Sequence, residues 1–456
     1  MITRVLGYRL LIFAILLMLV VASGRLLIPY LITEAHAGRS IELFNRILRG
    51  KTRPLEHYLA LWREFEAACG LAAAMLAGVA LVLTRRSAPP GENSRLALFA
   101  AAFLGLTVVA GARHDYTADL EIWAVVLSGG DPWWLPTGRS YPLNAYGPAF
   151  LLLSPAVLIH PLLPKLLFAL AYVGYVVSRP MTKRRWVLLV LNPFPWIETA
   201  WFGHFDVLVG LACATAWRVL ERRRFTAGTL LGFGVLLKYL PLVIAPFGLR
   251  RVDRFDRRYL GAFAATIVVG LAASWLVWGP SVFRPIEFAA TRGANLLSIF
   301  RFLEGRFSPL PAGTEAGRLA GPITALAGLL VFAWSRTRSD RLTPRVGACL
   351  GLATTLLFYR VGFIQYWMVW LMLIADAEGS EAERLFGRPI PSATLTVFLG
   401  WLAGFDLLYA CLGGVIDPNG PWGDLDAIVG LPHFLLGSAW IVAVILDHER
   451  RAVDPR

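Results

Sequence analysis

The chain has 456 residues, of which 57% are apolar and only 16% charged, and its mean hydropathy is +0.60. Soluble domains carry about 45–50% apolar and about 25% charged residues, which excludes a soluble enzyme, a DNA-binding protein and a disordered scaffold. The formal charge of +14 arises from 44 Lys and Arg against 30 Asp and Glu. In so apolar a chain that surplus belongs in cytoplasmic loops rather than on nucleic acid.

The first apolar stretch, residues 10–31, is longer than the hydrophobic segment of a secretory signal and reads as an anchor. Residues 1–90 read as a transmembrane hairpin whose outer loop, 34–63, is amphipathic. Apolar runs bounded by charges or by Pro and Gly begin near residues 8, 65, 95, 164, 186, 205, 226, 239, 258, 318, 343, 362, 391 and 430. At about 20 residues per crossing, the expected fold is all-α: a polytopic transmembrane bundle of about 12–14 helices with outer interfacial or re-entrant elements. Arg85-Arg86, Lys183-Arg184-Arg185, Arg222-Arg223-Arg224, Arg250-Arg251, Arg257-Arg258, Arg336 to Arg345 and Arg450-Arg451 fall in every second loop. That alternation predicts both termini on the cytoplasmic side of a cell inner (plasma) membrane.

The segment Tyr146–His160 is apolar but short, and counting it as a crossing breaks the alternation. It is therefore expected to be re-entrant or interfacial. The runs 226–237 and 239–250 are also short, with Lys238 at their apex. Half-length helices meeting at a polar apex are tolerated where they line a cavity. The cysteines, Cys69, Cys213, Cys349 and Cys411, form no C-x-x-C pair, so neither a zinc site nor a disulfide framework is suggested.

Ionisable residues are costly in a membrane protein and mark its chemistry. The densest cluster runs from Arg113-His114-Asp115 through Asp119 to Glu121, followed by Gly129-Gly130-Asp131-Pro132-Trp133. Asp119 reads equally well as a helix cap, whereas a cap role explains Asp115 poorly. A partly desolvated carboxylate at a membrane interface is a usable general base. The second cluster joins Asn192-Pro193-Phe194-Pro195-Trp196-Ile197-Glu198 to Gly203-His204-Phe205-Asp206, and its prolines break a helix. Lys238 reads as the only lysine in the apolar body. The third cluster, in the loop 279–317, contains Arg284, Arg292, Asn295, Ser298, Arg301, Glu304 and Arg306, and the last is Tyr359-Arg360 with Gln365-Tyr366-Trp367. No nucleotide-binding signature is present, and all four clusters fall in outer loops. A pre-activated substrate delivered through the lipid fits that placement.

Taken in order, these motifs resemble the GT-C superfamily of membrane glycosyltransferases. They are His114-Asp115-Tyr116, Gly129-Gly130-Asp131-Pro132-Trp133, Asn192-Pro193, Gly203-His204-Phe205-Asp206, Lys238-Tyr239-Leu240-Pro241, Arg292, and Gln365-Tyr366-Trp367. Within it the chain looks like the first mannosyltransferase of glycosylphosphatidylinositol-anchor synthesis and like bacterial polyprenol-phosphate-mannose mannosyltransferases. The likeness covers about residues 95–375, so that 91–375 would be the catalytic module and 376–456 additional C-terminal transmembrane helices. Close members carry Asp-x-Asp where this chain has Arg113-His114-Asp115, so one acid of that pair remains.

The resemblance implies inverting sugar transfer from a polyprenyl-phosphate donor to a glycolipid or glycan acceptor on the outer face, by a monomer with no cofactor. It implies catalytic Asp115, with Asp119 as second acid. Donor phosphate would be bound by Lys238, Arg292, His204 and Arg360, and substrate by His114, Asp206, Gln365 and Tyr366. No metal site is expected. The competing reading is a lipid or solute transporter, but the paired halves with matching broken helices that transporters show are not found in the sequence.

Overall fold

A computed structural model describes residues 92–453, apart from 114, 135–141, 143, 250–255, 306–308, 311–314, 339–341, 387–388 and 413–422, together with scattered positions before residue 92. The anchor at 10–31, the loop 34–63 and the pairs Arg85-Arg86 and Arg250-Arg251 lie outside the described residues, scattered positions aside. The described chain is helical except for two short parallel strands, β1 (Asn295–Leu296) and β2 (Val361–Gly362). It divides into two compact units, Met1–Leu106 with Phe405–Asp426 and Thr107–Gly404 with Ala427–Arg456. The second unit contains every site residue discussed below.

Seven helices of this unit position the site: α1 (Asp115–Leu127), α2 (Leu163–Val177), α3 (Asp206–Val219), α4 (Arg224–Leu237), α5 (Arg257–Trp278), α6 (Pro344–Phe358) and α7 (Trp367–Ala375). Four described helical stretches are long and apolar enough to cross a membrane: Arg257–Ala289, Ala316–Thr337, Ile390–Ala410 and Ile428–Arg450. Counting bent pairs as single spans raises this to six; one of them, Pro148–Ile159 with Leu163–Val177, bends by 116°. The protein is thus a polytopic helical bundle.

Several of the apolar runs are not full spans. Helices α3, α4 and α6 have 14, 14 and 15 residues, and at about 1.5 Å per residue they fall short of an apolar layer about 30 Å thick. They are interior elements with mostly buried side chains, and α7 is buried along its whole length. Helix α4 packs closely on α5 because Gly228 and Gly232 are spaced four apart. A Cβ at Gly228 would stand 2.3 Å from the Tyr259 carbonyl oxygen, and one at Gly232 2.9 Å from that of Phe263. The run near 239 is not an α-helix. Pro241 and Pro246 reduce it to two short 3₁₀ turns, Leu240–Val243 and Ala245–Gly248.

Chain direction separates the two ends of the unit. Helix α3 starts at Asp206 and finishes beside Arg218, while α4 returns from Arg224 to Lys238. The basic loops meet at the far end. There Arg224 and Arg336 donate to the carbonyls of Gly248 and Leu249, Arg345 donates to that of Asp376, and Arg179 pairs with the Asp376 carboxylate at 3.0 Å. Arg185, expected as a loop charge, is buried and donates to the carbonyls of Pro180 and Ala375.

Candidate active site

The site begins with a broken helix. Asn192 caps the turn Pro193–Pro195 by accepting the Phe194 N–H at 3.1 Å, and the next stretch, Trp196–Phe202, is wound as a π-helix. Gly203 ends it at φ +81°, a left-handed conformation that a side chain would strain. A Cβ there would also stand 2.9 Å from the Lys165 side chain. The reversal brings the His204 N–H onto the Glu198 carbonyl at 2.9 Å and folds the imidazole back over the same residue. His204 Nδ1 then lies 2.7 Å from Glu198 Oε2, and Nε2 lies 3.3 Å from Asp115 Oδ2.

Asp115 opens α1, with Asp119 one turn further along the same face. The two acids differ in exposure. The Asp115 side chain is 40% exposed, while Asp119 is buried within electrostatic reach of Asp115, His204, Asp206 and Lys238. Helix α1 is fixed by Tyr116, whose hydroxyl donates to the Pro161 carbonyl at 2.6 Å, and by Trp123, whose indole donates to the Phe150 carbonyl at 3.1 Å.

Lys238 stands where α4 ends. Its ammonium donates to both carboxylate oxygens of Asp206, at 2.7 and 2.9 Å. Three aromatic rings surround it, with centroids at 4.2 Å for Tyr366, 5.3 Å for Phe205 and 5.5 Å for Tyr146. A buried cation is tolerable when it is paired and faces ring quadrupoles. Tyr146 is held there by its neighbour Gly147, whose N–H donates to the Leu237 carbonyl at 3.2 Å. A Cβ on Gly147 would stand 2.2 Å from the Leu236 carbonyl oxygen, so only glycine permits that approach.

Lys238 is not the only lysine in the apolar body. Lys165 is fully buried in α2, and its ammonium donates to the carbonyls of Gly111 at 2.7 Å and Trp201 at 2.6 Å. It thereby ties the approach to Asp115 to the approach to His204.

The remaining predicted residues are placed as follows. Arg292 is partly buried, its guanidinium 4.4 Å from the Phe363 ring centroid and 5.0 Å from that of Phe288. Its loop is joined to the 359–366 turn by the β1–β2 pairing and by Ser298, which donates to the Tyr359 carbonyl at 3.0 Å. Arg360 turns toward Gly317 of that loop, beside Glu304. Gln365 is buried next to Tyr366. His114 lies outside the described residues. Asp131 accepts the Trp133 N–H at 2.9 Å and so shapes its own turn. The structure therefore brings Asp115, Asp119, His204, Asp206, Lys238 and Tyr366 together. It adds Glu198, Tyr146, Phe205 and Lys165, to which the sequence reading gave no role. A glycine closely following a proline-broken helix is the sequence signal for the reversal that recruits Glu198.

His204 lies in the break before α3, outside the helical spans. Burial opposes its charging, but the carboxylates of Glu198 and Asp115 outweigh burial and raise its pKa from 6.5 to about 10. That direction favours the doubly protonated ring at neutral pH, with Nδ1 on Glu198 and Nε2 facing Asp115.

Residues 146–358 match the model of glycosyltransferase family 87 (GT87). The match supports a membrane glycosyltransferase. It spans Glu198, His204, Asp206, Lys238 and Arg292, whereas Asp115 and Tyr366 lie beyond its ends. No curated protein and no solved structure matches the chain.

Proposed function

We propose that the protein is an inverting mannosyltransferase that takes its sugar from a polyprenyl phosphate and passes it to a glycolipid or glycan on the outer face of the plasma membrane. The observation that carries this reading is a partly exposed carboxylate, Asp115, in one site with a buried and fixed cation, Lys238. An acceptor hydroxyl oxygen attacks the anomeric carbon on the face opposite the phosphate. The bond from that carbon to the phosphate oxygen breaks, and its electron pair leaves with the phosphate. The acceptor proton passes to Asp115 as general base. A phosphate leaving group needs no proton, so one carboxylate suffices where glycoside hydrolases use two.

Charge developing on the leaving phosphate calls for fixed cations in a water-poor site. Lys238 has three N–H donors, and Asp206 engages two of them, which leaves one for a phosphate oxygen. Arg292 is the second cation, carried by the loop that β1 fastens to the site. Incubating membranes with labelled polyprenyl-phosphate mannose tests the proposal directly. Transfer of label to a lipid or polymer supports it; movement of intact labelled lipid across the membrane without transfer overturns it in favour of a transporter. Cysteine labelling checks orientation, and modification of residue 131 from the cytoplasmic side alone would sink the outer placement of the site.

A further inference from the structure

Glu198, His204 and Asp115 form a carboxylate–imidazole–carboxylate array that runs from the interior to the open side of the site. Side-chain exposure rises along it, from 1% for Glu198 through 6% for His204 to 40% for Asp115. The imidazole is hydrogen-bonded through Nδ1 to Glu198 Oε2 at 2.7 Å, and its Nε2 stands at ion-pair distance, 3.3 Å, from Asp115 Oδ2. Glu198 Oε1 is buried and has no hydrogen-bond partner among the described residues. The contact to His204 is thus what compensates this carboxylate, and a buried carboxylate without compensation is costly. An imidazole held between two acids is also poorly disposed to serve as a phosphate ligand, the role first assigned to His204.

We infer that Glu198 is a positioning residue for Asp115: acting through His204, it keeps a positively charged N–H facing Asp115 Oδ2 and so holds the carboxylate in the orientation in which it receives the acceptor proton. The inference rests on Asp115 being the base of the proposed transfer. A carboxylate free to rotate presents its oxygens in many orientations, whereas one held through Oδ2 is fixed in direction, and such orientation carries much of an enzyme's rate advantage. The relay requires His204 to donate from both nitrogens. Its charged surroundings favour that state: Glu198 in the preceding turn and Asp115 on α1 face the ring, Asp119 on α1 is buried nearby, and the charge of Asp206 at the start of α3 is offset by Lys238. Two cations also stand close to this reversal, Lys165 on the Trp201 carbonyl and Arg113 over the Trp201 ring at 4.4 Å. They do not outweigh the two carboxylates in contact with the ring.

Glu198→Gln separates positioning from mere packing. Glutamine has the same shape and its carbonyl still accepts from Nδ1, but without the charge His204 gives up its second proton at lower pH. The neutral ring then turns a lone pair, not a proton, toward Asp115. With the purified full chain and polyprenyl-phosphate mannose, the variant is expected to approach wild-type turnover in mildly acidic buffer. It is expected to lose about tenfold or more in kcat by mildly alkaline pH, where the wild type does not, with the donor KM unchanged. A loss equal at every pH, a wild-type profile, or loss of donor binding each overturns the inference. NMR of isotope-labelled histidine, with the His204 signal assigned by His204→Gln, reads the array without any substrate. His204 doubly protonated at neutral pH in wild type but not in Glu198→Gln is the supporting result, and no change between the two overturns it. Asp115→Asn in the same assay keeps the two readings distinct, because full activity there sinks the base assignment, whereas the NMR comparison does not depend on it.

Discussion

The Lys238 ammonium meets both carboxylate oxygens of Asp206, 2.7 and 2.9 Å away, at the point where α4 ends and α3 begins. The pair ties the two helices together at the open end of their hairpin, opposite the connecting turn, and gives the site a cation whose position is fixed in advance. Such a charge costs no reorganisation when a phosphate arrives.

Lys238→Met is therefore expected to have two effects. It strands the buried Asp206 carboxylate, and breaking a buried pair by removing one partner costs about 3–5 kcal/mol. It also removes the proposed phosphate ligand, which on that reading meets the donor before and during transfer, so donor affinity and turnover are expected to fall together. Thermal unfolding and donor binding measure the two separately. Pairing it with Asp206→Asn restores much of the stability but not the donor affinity. Recovery of both would show that Lys238 serves the fold alone.

Asp115→Asn keeps the side chain's shape and its contact with His204 but cannot take a proton. Turnover is expected to drop by roughly 10²–10⁴-fold, the usual contribution of a positioned base, with donor binding retained. Asp119, the second candidate acid, is buried one turn away. Initial rates of the two Asn variants decide between them: an active Asp115→Asn beside a dead Asp119→Asn would move the base one turn along α1.

The acidic, proline-broken and Lys238 clusters were legible in the sequence because each violates the apolar background. Their meeting at one end follows from chain direction along α3 and α4. Glu198 was not legible in the same way. Six residues separate it from His204, and they meet because a π-helical turn is closed by Gly203 in a left-handed conformation. Lys165 follows Pro164 at the start of an apolar run, and its burial depends on two backbone carbonyls brought from residues 111 and 201. The number of full-length spans was equally hidden. A run of apolar residues reads alike whether lipid or neighbouring helices cover it, and α3, α4, α6 and α7 are covered largely by neighbouring helices.

The pH dependence of stability has a defined sign. His204 titrates at about 10 in the folded protein against an ordinary value of 6.5, so the folded state binds its proton more tightly than the unfolded chain. Its contribution to stability is full below about pH 6.5 and is lost as pH rises through 10. The gap in unfolding temperature between wild type and His204→Gln is expected to be widest in mildly acidic buffer and to narrow steadily toward pH 10. A gap that widens with rising pH would mean that His204 is neutral in the fold.

Turnover is expected to survive removal of divalent ions, because three of the acids nearest the reacting centre already face positively charged side chains. His204 covers Oδ2 of Asp115 and Oε2 of Glu198, and Lys238 covers both oxygens of Asp206. A divalent ion bridging these acids would compete with His204 and Lys238 for their carboxylates, and at Asp206 it would have to displace Lys238 from both oxygens. Among the described residues, no three or more His, Cys, Asp or Glu are grouped so as to hold a metal ion; the prediction rests instead on the occupied carboxylates. Initial rates are compared before and after dialysis against a chelator, with manganese and magnesium added back. Unchanged rates support a cation function supplied by Lys238 and Arg292. Complete loss, reversed by either ion, would show that Asp119 or Glu121 completes a site with Asp115 once His204 swings away, and the array from Glu198 to Asp115 would then describe a resting state rather than the working one.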